Sequence, residues 1–173
     1  MFRAAWEERR LCPENYNADT GEPLDQPDTE GFYGWGALIP ALGVAEVTDV
    51  SPWDGWSIVN RGEDLSLGPL LTPAGRITIL VEVGALTLRR GAIMLLRTTV
   101  KGRITHLELD RSRIAMRLPA QDRAVQVWLR VPGDMAAAEL DGSAVRCLPV
   151  DGGAAVDLPV TSRPTRLVVL FRT

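Results

Sequence analysis

Residues 12–23 read CPENYNADTGEP, and residues 31–43 follow as GFYGWGALIPALG. The first run sets a carboxylate, Glu14, beside the amide of Asn15 and the phenol of Tyr16; the second carries Tyr33 and Trp35 in a glycine-rich stretch. A surface turn uses Asn, Asp and Gly because they tolerate tight backbone angles. It has no need of a Glu-Asn-Tyr triplet running into an aromatic cluster. Four further carboxylates follow: Asp19 and Glu22 within the first run, and Asp25 and Asp28 between it and the second. They lack the Asp-x-Asp-x-Asp-Gly order that wraps a calcium ion, so no metal is expected. Cys12 and Cys147 have no metal-ligand spacing; a long-range disulfide between them is open, and two free thiols is the favoured reading. No cofactor motif is present, and none is expected to bind. The single histidine, His106, shares the outward face of a strand with Glu108 and is assigned no chemistry.

The elements around these residues fall into two parts. Eight of the ten aromatic residues lie within the first 56 positions. Residues 1–52 carry three basic and ten acidic side chains, whereas 53–173 carry sixteen and twelve. In the first part, FRAAWEERRL reads as a helix closed by Pro13, and 31–50 as a second helix with Asp28 or Thr29 as its cap. Gly34, Gly36, Pro40 and Gly43 weaken that helix in isolation, so close packing against other helices is expected to hold it. Residues 1–52 are therefore read as a helix-loop-helix segment of something larger.

Residues 53–173 have an apolar period of two. In GRITILVEVG (75–84), Ile77, Ile79, Val81 and Val83 share one face; in RITHLELD (103–110), Thr105, Leu107 and Leu109 oppose Ile104, His106 and Glu108. Asp141-Gly142 has the chemistry of a two-residue type I′ hairpin, whose central residues both take positive φ. Short strands with such punctuation predict an antiparallel β-sandwich, mainly β in class, preceded by the short helical segment. Trp6, Trp53 and Trp56 read as packing residues. Nine arginines between Arg89 and Arg130 suggest a basic stripe, but interleaved acids and the lack of an aromatic ladder mark a solvated sheet face. No nucleic acid is expected as a partner.

The run PENYNADTGEP…FYGWGALIPALGVAEV resembles the end of the catalytic barrel in glycoside hydrolase family 63 and its mannosylglycerate-hydrolase-like relatives. The likeness covers about residues 1–50 and implies the end of an (α/α)6 barrel; the following sandwich is loosely similar to the β-domain appended to such barrels. It implies that Glu14 is the general base of an inverting α-glycosidase. Asn15 and Tyr16 would orient that carboxylate or the sugar 2-hydroxyl, while Tyr33 and Trp35 would line the sugar subsite. The family's general acid comes from an earlier part of the barrel that the match does not include. One carboxylate alone is expected to give little turnover.

Two functions follow as expectations. One is the C-terminal portion of an inverting α-glycosidase, with carbohydrate as ligand and a homo-oligomer or partner chain completing the barrel. The other is a non-catalytic sandwich for carbohydrate binding or assembly. The net charge of −3 gives no argument for an anionic membrane, no apolar run approaches a membrane span, and the charged N-terminus has no signal core. A cytoplasmic location is expected.

Overall fold

The structure is a computed structural model that describes residues 34–110, 112–130, 135–150 and 152–171. The chain divides between Val47 and Thr48 into two units. The first contains helix α1, Gly34–Val47, in which Ala37, Ala41 and Ala45 recur at four-residue spacing. Leu42 on this helix is 57% exposed.

The sequence pattern predicts helix as far as residue 50, but the chain leaves α1 at Val47 and enters strand β1, Thr48–Ser51. Thr48 and Val50 are β-branched and suit the extended backbone. The Thr48 hydroxyl also secures the pairing. It donates to the Ser57 carbonyl at 3.0 Å and accepts from Trp56 Nε1 at 3.0 Å.

Thirteen more strands follow: β2 Gly55–Asn60, β3 Leu65–Thr72, β4 Gly75–Glu82, β5 Ala85–Arg90, β6 Ile93–Thr98, β7 Gly102–Leu109, β8 Arg113–Leu118, β9 Val125–Leu129, β10 Met135–Leu140, β11 Ser143–Ala144, β12 Cys147–Val150, β13 Gly153–Leu158 and β14 Thr165–Phe171. They form two antiparallel sheets packed as a sandwich, in the order β1-β2-β7-β8-β14-β10-β11 and β12-β13-β9-β6-β5-β4-β3. The core is aliphatic: Ile58, Ile104, Met116 and Leu167 from the first sheet meet Ile77, Ile79, Leu88 and Leu129 from the second, all essentially inaccessible to water. Burying each such side chain contributes about 1.5–3 kcal/mol. One polar side chain sits among them with its bonds made. Asn60 donates Nδ2 to Val100 O at 2.8 Å and to Gly84 O at 3.1 Å, and accepts from Gly62 N at 3.0 Å.

Three details of the pattern need correction. Ile77, Ile79 and Val81 are buried, but Val83 is 97% exposed. Strand β4 ends at Glu82, and Val83 turns the hairpin with Gly84 at φ 51° and 75°. In β7, Ile104 and Leu107 are both buried, although strict alternation sets them on opposite faces. A bulge between Thr105 and Glu108, with His106 at φ 50°, shifts the phase by one residue. His106 N donates to Asp54 O at 2.7 Å, which holds this turn of backbone. Trp53, read as a packing residue, is 85% exposed because it lies between β1 and β2 rather than on either strand; Trp56 is buried. The Asp141-Gly142 turn has the expected geometry, with φ 49° and 79°.

Residues 113–130 and 153–170 are two copies of one arch. In the first, β8 lies in the first sheet and the chain crosses to β9 in the second; in the other, β13 lies in the second sheet and crosses to β14 in the first. The pairing obeys a local two-fold. Leu118 faces Thr165 as Leu158 faces Val125, and Met116 faces Leu167 as Val156 faces Val127. Gln121 and Thr161 sit on the axis and exchange backbone bonds of 2.9 and 3.0 Å. Only Ala115/Ala155, Leu118/Leu158, Pro119/Pro159 and Arg123/Arg163 are identical between the copies.

Candidate functional site

Of the residues singled out from sequence, Glu14, Asn15, Tyr16 and Tyr33 lie outside the described residues. Trp35 is the second residue of α1. No group of His, Cys, Asp and Glu that would hold a metal ion occurs among the described residues. No helix among them is long and apolar enough to cross a membrane.

The described residues form a different constellation on the outer face of the second sheet. Strand β9 alternates strictly: Val125, Val127 and Leu129 point into the core, which turns Gln126 and Trp128 outward. Trp128 faces Arg97 of β6 on one side and Ala155 of β13 on the other. Its six-membered ring rests on Gly153. A Cβ at that glycine would lie 2.8 Å from Trp128 Cζ2 and would collide with the Leu129 carbonyl oxygen. Glycine is thus required for the indole to lie here.

Strand β6 completes the arrangement through a bulge. The register between β5 and β6 shifts at Leu88/Arg89, so that Leu88 faces Leu96 while Arg89 faces Met94. The intervening Leu95 is left without a partner, and Met94 comes to the same outer face as Arg97. The result is a groove of about 470 Å³ lined by Met94, Arg97, Thr99, Gln126 and Trp128, with Ala85 and Thr98 beneath. Thr98 Oγ1 donates to Gln126 O at 3.1 Å and accepts from Val100 N at 3.2 Å, which ties β6 to β9 under the groove. Gln126 Nε2 donates to Asp157 Oδ1 at 2.9 Å, leaving its Oε1 as an acceptor. The guanidinium of Arg97 has no hydrogen bond, ion pair or ring contact among the described residues. Apolar, aromatic, cationic and amide surfaces thus converge on one concavity, the mixture that orients small polar ligands.

A second concavity of about 470 Å³ opens at the end of the sandwich, where Arg90, Arg130 and Asp110 surround Ile93, Leu109 and Ile114. There the Arg90 guanidinium donates to the Ala74 carbonyl. Cys147, on the edge strand β12, is a free thiol. Burial pushes its pKa up, and the Asp157 carboxylate pushes it further, so it is a poor nucleophile near neutrality.

No protein-family model matches the chain. No curated protein matches it. Among solved structures it is similar to α-L-fucosidase isoenzyme 2 from Paenibacillus thiaminolyticus, with 17% identity and a TM-score of 0.38, over 48% of this chain and 16% of that one. A score this low carries no argument about shared activity, and the chain spans only a small part of that protein.

Trp128, Met94 and Gln126 were not singled out from sequence, and Arg97 was read only as one of the arginines of a solvated sheet face. One signal was there to read: after residue 56 the only aromatics are Trp128 and Phe171, and Trp128 takes the outward phase of RAVQVWLRV. Met94 gave no such signal, because its facing depends on the bulge.

Proposed function

We propose that this chain is the C-terminal portion of an inverting α-glycosidase-like protein, with the segment that ends at Val47 forming the end of its helical barrel and the sandwich from Thr48 its appended β-domain. The observation that carries this reading is the ordered run Glu14-Asn15-Tyr16 followed by Phe32-Tyr33-Gly34-Trp35-Gly36-Ala37-Leu38, which resembles the barrel segment bearing the water-activating base. The helix Gly34–Val47, followed directly in sequence by the first strand of a β-sandwich, supports it.

In this reading Glu14 takes a proton from water as the water attacks the anomeric carbon. A carboxylic acid on a preceding helix protonates the departing oxygen, and the product anomer is inverted. The two carboxyls must stand about 6.5–9.5 Å apart, so that water fits on the face opposite the leaving group. Tyr33 and Trp35 would offer aromatic surface to the apolar face of the pyranose. Asn15 and Tyr16 would orient Glu14 or the sugar 2-hydroxyl. Because the acid lies outside the matched segment, activity requires further barrel helices beyond that segment.

The test is co-production of this chain with the protein encoded immediately upstream, followed by NMR of the anomer released from α-linked disaccharides. Hydrolysis with inversion, reduced by at least about a hundredfold in Glu14→Gln, is expected. Hydrolysis that survives that substitution, or none with both chains present, overturns the reading.

A further inference from the structure

We propose that the groove beside Trp128 on the outer face of the second sheet is a binding site for an acidic sugar, a pyranose bearing a carboxylate. The described residues that line it come from β5, β6, β9 and the segment between β6 and β7, all in the sandwich. It therefore stands apart from the Glu14 reading and outlives its failure.

A pyranose ring has one chemistry on its faces and another on its rim. Axial C–H groups make the faces apolar, and hydroxyls make the rim a ring of donors and acceptors. The groove offers both kinds of surface. Trp128 and Met94 provide an apolar wall, with the indole immobilised on the Gly153 backbone, so little side-chain freedom remains to be lost on binding. The Gln126 amide is held by Asp157 at 2.9 Å and presents its Oε1 to the rim; the Thr99 hydroxyl lines the same space.

Arg97 decides the ligand class. Arg97 pairs with Trp128 across the β6–β9 strand pair, is exposed, and lines the same groove. The nearby acid, Asp157, has its Oδ1 engaged with Gln126 rather than with Arg97. A planar fork of donors without a partner among the described residues, beside an aromatic wall, fits a carboxylate by two parallel N–H···O bonds. In a hexuronic acid the carboxylate is attached to the ring that would lie against Trp128, so wall and fork are engaged together. A neutral hexose would leave the charge unanswered.

The experiment is a titration of the full chain with trigalacturonate and with its carboxyl-reduced neutral counterpart, followed by the Trp128 indole and the amides of residues 94–99 and 126–128 in NMR spectra. Trigalacturonate should shift these signals and bind at least about tenfold more tightly than the neutral sugar. Arg97→Gln, an exposed substitution expected to fold, should remove that preference; Trp128→Ala should weaken both sugars; Val168→Ala, at the two-fold-related position, should change neither. Equal affinity for the two sugars, an unchanged preference in Arg97→Gln, or no shifts with millimolar trigalacturonate would each overturn the proposal.

Discussion

The arches at 113–130 and 153–170 share a backbone and differ in what they display. Where the first has Gln126 and Trp128, the second has Arg166 and Val168; where the second has Gly153 and Asp157, the first has Arg113 and Arg117. In the second sheet these exchanges join Gln126 to Asp157 and seat an indole on a glycine. In the first sheet they set Arg117 directly opposite Arg166, with like charges facing. Inward positions remain apolar in both copies, at Val127 and Leu167 or Leu129 and Val169. The core therefore demands the same of each arch, while the outer faces are free to diverge. On the second sheet the divergence includes the groove beside Trp128.

If both arches serve the core equally, Leu129→Ala and Leu167→Ala should each cost about 3 kcal/mol in chemical denaturation. A loss at one position less than half that at the other would break the equivalence. Gly153→Ala should cost about 2 kcal/mol, because the new Cβ meets the Leu129 carbonyl and the Trp128 ring. Arg113→Ala, its two-fold mate, should stay within about 0.5 kcal/mol, because the Arg113–Glu108 ion pair at 3.5 Å is partly exposed. A Gly153 variant as mild as the Arg113 variant would remove the requirement for glycine under the indole.

On the axis itself, Gln121→Ala should lose about 1 kcal/mol, since Nε2 donates to Pro119 O at 2.9 Å and Ala120 O at 2.8 Å within a buried crossing. Reversing a facing charge, Arg166→Glu, should stabilise by about 0.5 kcal/mol, an increment that added salt should erase. The smallest effect is kinetic. In a Cys12→Ser background, Cys147 should react with iodoacetamide more slowly in the folded than in the unfolded chain. Asp157→Asn should quicken it, because removing that carboxylate lowers the thiol pKa. No quickening would mean that burial alone sets the reactivity.

Much of the sandwich was legible in the chain. The alternation of Ile77, Ile79 and Val81, of Val125, Val127 and Leu129, and of Leu167, Val169 and Phe171 gives both the strand and its buried face, because a pleated strand with one wet side needs it. Asp141-Gly142 gave its hairpin because few residue pairs accept two positive φ values in succession. Val83 misled because it continues the pattern one residue past the strand. Ile104, set on the outward face with His106 and Glu108, misled because the bulge that turns it inward leaves no compositional mark.

The carboxylate at Glu14 and the helix of Gly34–Val47 are matters of sequence order, and the glycosidase reading rests on that order alone. The groove is not such a matter. Whether Trp128 has a floor depends on a residue 25 positions away in the chain, Gly153, which β9–β13 pairing brings beneath it. Whether Met94 joins Arg97 depends on a bulge against β5. Period and turn chemistry act between near neighbours and can be read along the chain. Strand partners and register are settled by closure of the whole core, and only the folded sheet decides which side chains meet.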